Sequence, residues 1–351
     1  MNFYYMFIIQ GDYMDEMYNG KHFLTQYDLD VNLFHKFNVE VNDIYPRRSV
    51  FLVNTDKGNK ILKKIKYGKE ELLFIYEGIK YINNKFHRVM EFVKTSDDNI
   101  YTIWNNEIYC MIDLVEGRES DYDNPIDLSI ATKGLAELHL ASEGFKGNLC
   151  SRCNSGRLIN NFTRRLNEMG VFKTVALINE HKSDFDNIFL SNVDHYIAEI
   201  KNSIKLLENS FYYKLCAEEN KIVLCHHDLA NHNIIIKNEE AYFIDFDYAI
   251  VDLRVHDLCN FITKGTKNYA FDIEKGKNIL EEYSSINPLD KRELSVLYGM
   301  LTFPQDFYSI VKDYYTRRKD WTEGTFVDRI KRKTQGEEFR LEFLKAFEDL
   351  L

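Results

Sequence analysis

Three short apolar runs separated by polar loops constrain the fold of this chain more than any other feature. Each run is rich in β-branched or aromatic residues, which predicts brief buried strands at 222–224, 234–236 and 242–244. The polar segment 237–240 has the character of a hairpin turn and would lay the second strand beside the third. The polar residues that flank these two strands would then lie close together.

The polar residues at the mouth of this hairpin suit a metal ion. Asn233 precedes the second strand and Asp245 follows the third, and an amide oxygen with a carboxylate suits Mg²⁺, which keeps waters or substrate phosphates as its other ligands. Asp228 lies earlier on the same loop, where a hydroxyl nucleophile would need a proton acceptor. We therefore predict Asn233 and Asp245 as metal ligands and Asp228 as the catalytic residue. Asp247 is either a further metal ligand or a cap of the next turn.

The spacing of these residues resembles a known catalytic loop. His226-x-Asp228-x-x-x-x-Asn233, followed by Ile244–Phe246, is similar to the catalytic loop and the metal-binding Asp of the protein-kinase-like fold. No Arg follows the His, and Asp247 stands where protein kinases have Gly. These differences favour the aminoglycoside phosphotransferase and choline kinase branch, which phosphorylates small molecules.

Further segments extend the resemblance to most of the chain, from about residue 45 to about residue 315. They are similar to the CotS/CotI-type spore coat proteins of endospore-forming bacteria, which belong to the same superfamily. The segments are Lys69–Glu77, Val115–Arg118, Ala131–Ser142, Phe243–Tyr248, Asp252–Val255 and Phe303–Pro304.

This resemblance implies an α+β, two-lobed protein-kinase-like fold. The small lobe would hold an antiparallel sheet with a helix, and the larger lobe would be mostly helical. We place the N-terminal lobe at 1–112, the hinge at 113–117 and the C-terminal lobe at 118–351, with the catalytic loop at 224–249. A chain of 351 residues is long for one core, which agrees with two lobes.

The resemblance also implies ATP and Mg²⁺ as cofactors. Lys63 matches the strand-borne Lys that reaches the α and β phosphates. Lys64 and Lys66 are alternatives that share the opposite face of the strand, because successive side chains alternate. No Gly-x-Gly-x-x-Gly precedes this region, so the phosphates would be held differently from those in protein kinases.

A glutamate of the following helix is expected to pair with Lys63. Glu77 fits the family spacing best, and Glu70 and Glu71 are the alternatives. A buried Glu without a cation is costly, which is the physical reason to expect a pair.

Adenine would bind at the hinge, which the segment Met111–Gly117 resembles. Backbone groups of Asp113, Leu114 and Val115 are the predicted contacts, because backbone N–H and C=O groups suit a purine edge.

Hydrophobic periodicity predicts the remaining elements. Strands are expected at 39–44, 49–55, 60–66, 88–93 and 109–115, and helices at 20–37, 69–83, 128–141 and over most of 157–215. The resemblance implies that 157–215 helps to form the acceptor pocket.

His139 is expected to be a core imidazole. Asp257 resembles the buried Asp that receives backbone N–H groups from the catalytic loop, with Arg254 as its neighbour or as a cation for the acidic cluster.

Composition disfavours several classes of function. The net charge of −10 argues against a duplex nucleic-acid partner, whose phosphates need Lys and Arg. Six cysteines form no dense framework, which indicates a reducing compartment, and Cys150 with Cys153 lacks the second ligand pair of a zinc site. The apolar segment Met1–Ile9 is short and carries no basic residue, so we predict neither a signal peptide nor a membrane span.

Basic residues collect in segment 312–333 of this acidic protein. Such a patch is able to dock an acidic partner or a membrane surface, although a solvated face is the simpler interpretation.

These observations predict an enzyme, an ATP-dependent phosphotransferase that acts on a hydroxyl of a small molecule or of a spore-coat component. The resemblance implies spore coat proteins as partners, synthesis in the mother-cell cytoplasm and deposition on the spore coat. Two alternatives stay open: a non-catalytic kinase-like coat assembly protein that binds nucleotide, and nucleotidyl transfer on the same fold.

Overall fold

The computed structural model describes residues 24, 27–266 and 271–351. The segment Met1–Ile9, predicted to be neither a signal peptide nor an anchor, lies outside them. Within the described part, no helix combines the length and apolar character needed to cross a membrane.

The chain divides into two compact units. The first comprises residues 1–72 and 90–114, and the second comprises residues 73–89 and 115–351. The boundary after Leu114 falls inside the predicted hinge, whereas 73–89 belongs to the second unit rather than to the first.

An antiparallel sheet forms the first unit, with strand order β1-β2-β3-β6-β4 and with β5 paired to β6. The elements are α1 (Val31–His35), β1 (Val41–Arg47), β2 (Val50–Thr55), β3 (Gly58–Ile65), β4 (Phe92–Val93), β5 (Thr102–Trp104) and β6 (Glu107–Asp113). Helix α2 (Lys69–Asn83) crosses the boundary between the units.

One face of this sheet packs on α1. Leu62 of β3 and Met111 of β6 are fully buried in one cluster with Leu33 and Phe34 of the helix. The position next to Leu62 in β3 is Lys63, which therefore lies on the opposite face. The sheet thus buries its apolar face and leaves the lysine on the other side.

The helix predicted at 20–37 is much shorter among the described residues. It begins after Asp30, whose carboxylate accepts the N–H of Asn32 at 2.8 Å, and ends at His35. Asn38, with φ of +55°, turns the chain towards β1. Leu24, Leu29 and Phe37, which lie outside this helix, are buried in the same cluster.

The second unit is mostly helical and contains two small antiparallel sheets, β10-β9-β7 and β11-β8. The strands are β7 (Arg118–Glu119), β8 (Ile222–Cys225), β9 (Ile234–Lys237), β10 (Glu240–Phe243) and β11 (Ile250–Leu253). The helices are α3 (Pro125–Ser142), α4 (Leu158–Ile178), α5 (Asp184–Glu208), α6 (Tyr212–Leu215), α7 (Arg254–Thr266), α8 (Ile273–Ile286), α9 (Lys291–Thr302), α10 (Gln305–Tyr315), α11 (Glu323–Gln335) and α12 (Glu337–Glu348).

The predicted hairpin between the second and third site strands is confirmed. Ile234 of β9 pairs with Phe243 of β10, and the two turn residues Asn238 and Glu239 have φ of +51° and +61°. Positive φ at both central residues defines a type I′ turn, whose twist matches that of the two flanking strands.

Two predicted boundaries were wrong for local reasons. The strand predicted at 88–93 contains only Phe92 and Val93, because Arg88 turns to pair with Glu137 and Glu240. Helix α3 begins before residue 128, at a proline whose preceding Asn124 side chain caps it by accepting the N–H of Ile126.

Candidate active site

Asp228 and Asn233 are brought together by the loop between β8 and β9. The Asn233 side-chain amide donates to the backbone carbonyl of Asp228 at 2.9 Å and to its carboxylate at 3.1 Å. Asn233 is buried, whereas about a third of the Asp228 side chain is exposed. The loop therefore presents a carboxylate that a ligand can reach.

Asp245 lies beside Asn233 because the hairpin ladder continues past its strands. The N–H of Ile244 donates to the carbonyl of Asn233 at 3.0 Å. Asp245 then adopts φ of +62°, a left-handed conformation that costs a non-glycine residue on the order of 1 kcal/mol. This strained backbone sets the direction of the half-buried carboxylate.

These two residues fit a divalent cation. Because the Asn233 nitrogen donates to Asp228, its amide oxygen faces the other way, and that oxygen accepts no hydrogen bond from the described residues. No group of three or more His, Cys, Asp or Glu side chains suitable for a metal occurs among those residues. A cation held by Asn233 and Asp245 would therefore take its remaining ligands from substrate phosphates or water.

Lys264 of α7 is a site residue that the sequence interpretation missed. Its ammonium lies 2.5 Å from the Asp228 carboxylate. Burial of Asp228 raises the pKa of the carboxyl, but the hydrogen bond and the charge of Lys264 outweigh it, so the net shift is downward. Asp228 is thus ionised at neutral pH.

A signal for Lys264 was present in the sequence. Asp257, Asn260 and Lys264 are spaced by three and four residues, which places them on one face of α7. Since Asp257 was expected to face the catalytic loop, the same face also directs Lys264 towards it.

Lys264→Met is expected to raise the pKa of Asp228. The substitution removes the hydrogen bond and the positive charge, while the desolvation that raises the pKa remains. Titration of the Asp228 carboxyl carbon by NMR should show a midpoint at higher pH in the variant. An unchanged midpoint would mean that Lys264 does not set the ionisation of Asp228.

His226 connects the loop to the Asp245 segment. Its ring is fully buried, and Nε2 donates to the carbonyl of Ile244 at 2.9 Å, while Nδ1 accepts the N–H of Asp228 at 3.3 Å. The two bonds fix the Nε2–H tautomer. His226 is therefore a positioning residue for both carboxylates.

Asp257 anchors the base of the loop, as predicted. Its carboxylate accepts the N–H of His226 at 2.5 Å and that of His227 at 2.8 Å. His139, predicted as a core imidazole, lies between this carboxylate and Tyr283 and is fully buried. His227 has φ of +66°, so these bonds hold a strained turn.

Three further side chains hold carbonyl groups of the same loop. Asn260 donates to the carbonyl of His227 at 3.1 Å, Tyr122 to that of Leu229 at 2.9 Å, and Ser120 to that of Asn231 at 2.9 Å. These contacts come from the loop that follows β7 and from α7. Side chains from other segments thus hold the loop between β8 and β9 at three of its carbonyl groups.

Arg254 was predicted as a neighbour of Asp257 or a cation for the acidic cluster, and this was wrong. It instead forms a buried pair with Glu293, at 2.7 Å from Nε to one carboxylate oxygen and 2.9 Å from Nη2 to the other. Lys221 joins the same carboxylate at 2.6 Å. This network ties α7 to α9 and lies outside the catalytic cluster.

The predicted phosphate-binding lysine lies in the first unit. Lys63 is half-buried on β3, opposite Cys110 in register, whereas Lys64 pairs with Glu107 at 2.9 Å. Successive lysines therefore occupy different faces, as the strand period predicted. The role of Lys63 stays a prediction.

The expectation of a buried Glu77 was wrong. Glu77 is exposed, because the apolar residues Leu72, Ile75 and Ile79 occupy the other face of α2. Glu71 is half-buried, and its carboxylate accepts the N–H of Gly68 at 3.2 Å. Desolvation therefore gives no reason to assign Glu77 as the partner of Lys63, and the assignment stays a prediction.

The three residues predicted to contact adenine differ in whether their backbone N–H group is already hydrogen-bonded. The N–H of Asp113 donates to the backbone carbonyl of Glu91 at 2.9 Å, and that of Leu114 donates to the backbone carbonyl of Asn59 at 3.2 Å. In the part of the chain that the structure describes, the N–H of Val115 makes no such bond. A purine acceptor atom would therefore use the N–H of Val115.

The basic segment 312–333 is not one solvated patch. Lys312 pairs with Glu168 at 2.9 Å and Lys333 with Asp306 at 2.5 Å. Arg332 and Lys333 also line a cavity of the second unit.

An antiparallel sheet followed by a mostly helical unit, with an Asp-Asn-Asp cluster on a strand-loop-hairpin, defines a protein of the protein-kinase-like fold. An aminoglycoside phosphotransferase from Alicyclobacillus acidocaldarius subsp. acidocaldarius DSM 446 is similar, with a TM-score of 0.78 and 17% identity over 92% of this chain and 96% of that one. The predicted α+β fold class is confirmed.

The chain belongs to the family described as spore coat putative kinase YutH, whose model matches residues 30–347. It is 23% identical to spore coat protein S of Bacillus subtilis (strain 168) over 326 residues, which is 90% of this chain and 92% of that one. It is 26% identical to a homoserine kinase of Agrobacterium fabrum (strain C58 / ATCC 33970) over 314 residues, covering 88% and 85%. The predicted resemblance to kinase-like spore coat proteins is confirmed.

Proposed function

We propose that this protein is an ATP- and Mg²⁺-dependent phosphotransferase that acts on a hydroxyl of a small molecule or of a spore-coat component. The carboxylate of Asp228 carries the proposal, because it is ionised, reachable and held 2.5 Å from Lys264 beside the Asn233 amide. A scaffold without catalytic activity has no physical need for a fixed loop with this charge cluster. The kinase and phosphotransferase names of similar proteins also support it.

In the proposed reaction, the acceptor hydroxyl oxygen attacks the γ-phosphorus of ATP. The bond from that phosphorus to the oxygen bridging the β-phosphate breaks, and ADP leaves. Asp228 orients the hydroxyl and accepts its proton, and Lys63 would bind the α and β phosphates. Asn233 and Asp245 would hold Mg²⁺, which neutralises phosphate charge when bound.

The proposed setting is the spore coat. The family associates the chain with that structure, and we infer synthesis in the mother-cell cytoplasm before deposition. The partners would be coat proteins and a hydroxyl acceptor.

The test is product formation by the full-length protein with ATP and Mg²⁺, across aminoglycosides, choline, sugars, amino alcohols and spore-coat extract. Acceptor-dependent ADP release that EDTA abolishes is expected. Pyrophosphate release instead of ADP would indicate nucleotidyl transfer. Intact ATP binding without either product would favour a nucleotide-binding coat assembly protein.

A further inference from the structure

A ligand-sized cavity of about 540 Å³ lies in the second unit beside the catalytic loop. His227 and Lys264 line it, and Lys264 also contacts the carboxylate of Asp228 at 2.5 Å. Residues of α4, α5 and α7 form part of its wall, together with α9 to α12. The cavity is therefore placed to hold the body of an acceptor whose hydroxyl lies at Asp228.

The charged lining of this cavity is mostly basic, although the whole protein carries a net charge of −10. The basic residues are Arg165, Lys264, Arg332, Lys333 and Arg340, and the acidic ones are Asp306 and Glu337. A cavity lined by an excess of one sign attracts ligands of the opposite sign.

Most of these cations already have carboxylate partners. Lys333 pairs with Asp306, Arg340 with Glu337 and Glu199, and Lys264 with Asp228. Arg165 and Arg332 are different: among residues 24, 27–266 and 271–351, no carboxylate lies within ion-pair distance of either. Arg165 donates to the side chain of Gln305, and Arg332 donates to the carbonyl of Asp328.

Arg165 is held firmly despite lacking a counter-ion. Its guanidinium lies 5.7, 5.5 and 5.2 Å from the ring centres of Phe162, Phe303 and Tyr308, and Nη1 donates to Gln305 at 2.6 Å. Burial lowers its pKa. A desolvated cation without a paired anion is costly, and a ligand anion would offset that cost.

We propose that the acceptor is an anionic hydroxyl compound whose carboxylate or phosphate binds Arg165 and Arg332. The inference rests on the proposed function, because it names the acceptor class of the same site. The lining disfavours a cationic acceptor such as an aminoglycoside or choline, because like charges in a confined cavity repel. Asp228 receives the hydroxyl, and the arginines bind the anion and thereby fix its position.

A hexose series separates charge from size. The four compounds share a hydroxyl-bearing ring and differ in charge. Glucose 6-phosphate carries a phosphate and glucuronate a carboxylate, whereas glucose is uncharged and glucosamine carries an ammonium. Calorimetric binding to the full-length protein and ADP release with ATP and Mg²⁺ are measured for each. We expect one or both anions to bind more tightly than glucose, and glucosamine to bind most weakly. The two anions distinguish a phosphate from a carboxylate site.

Arg165→Met removes the charge while keeping an apolar chain against the three rings. We expect the affinity for the preferred anion to fall about 10-fold or more, with KM rising more than kcat falls. Arg164→Met is the matched control, because Arg164 is the exposed neighbour and does not line the cavity. Arg332→Met is compared with Lys331→Met in the same way.

The outcomes separate this inference from the proposed function. Selective anion binding that Arg165→Met weakens, without ADP release, would support the anion site and count against the kinase. Turnover that prefers glucosamine, or equal affinities across the series, would overturn the anionic acceptor. Equal affinities of the Arg165→Met and Arg164→Met variants for the anions would overturn it as well.

Discussion

Asp228→Asn is expected to slow phosphoryl transfer by on the order of 10²-fold or more, with the protein still folded. Asparagine keeps the size of the side chain and can still contact Lys264, but it cannot accept the hydroxyl proton. A general base that is held in position contributes a rate enhancement of this order. The loss should appear in kcat, because the acceptor and nucleotide contacts remain.

The comparison is made by single-turnover ADP formation with saturating ATP and Mg²⁺. Asn231→Ala is a suitable control, because its exposed side chain lies on the same loop three residues later. Thermal unfolding of both variants should match the wild type within a few degrees. Activity of Asp228→Asn close to that of the control would remove Asp228 from the mechanism.

The hairpin and its polar flanks could be predicted from sequence because their contacts are local. Residues 234–243 pair within one turn, so strand period and turn polarity suffice to place Asn233 beside the Asp245 segment. Asp257 and His139 were also assigned correctly. For Asp257 the resemblance supplied the expectation, and for His139 an apolar helical pattern did.

Contacts between distant segments could not be predicted in this way. Arg254 pairs with Glu293, 39 residues away, and the sequence gives no period that joins α7 to α9. Lys264 reaches Asp228 across 36 residues. Its position follows from the face of α7, but only once the partner of Asp257 is known.

The basic lining of the cavity could not be predicted from the sequence either, because its residues come from segments that are distant in sequence. Arg165 belongs to α4 and Arg332 to α11, and in sequence each stands beside another basic residue that is exposed. A basic pair on a helix is typical of a solvated face. The packing of the helices places Arg165 but not Arg164 at the cavity, and Arg332 lines the cavity although it is exposed. That packing is a property of the whole unit.

Asp257→Ala is expected to lower the free energy of unfolding by about 3 kcal/mol. The carboxylate is fully buried and accepts backbone N–H groups of His226 and His227. Alanine leaves both donors buried without an acceptor and releases the turn at His227, whose φ is positive. Urea unfolding at neutral pH measures the change. Asp123→Ala, at an exposed position, should change it by less than about 0.5 kcal/mol.

The same carboxylate makes the free energy of unfolding depend on pH. The sign of this dependence follows from the lowered pKa of Asp257. Burial alone would raise the pKa of Asp257, but the hydrogen bond and charge of His139 and the backbone N–H groups lower it to about 2. Because the unfolded carboxyl titrates near pH 4, the stabilisation is complete above that pH and is lost as the pH falls towards 2. The difference between the pKa of Asp257 in the folded and in the unfolded protein corresponds to about 2 kcal/mol of stability.

Asp257→Asn isolates this contribution, because asparagine keeps the shape and one acceptor oxygen but does not ionise. Its unfolding free energy should fall less steeply than that of the wild type between pH 4 and pH 2. Asp290, whose pKa is also lowered to about 2, is present in both proteins and cancels in the comparison. Parallel curves for the two proteins would mean that Asp257 does not anchor the catalytic loop as an ionised carboxylate.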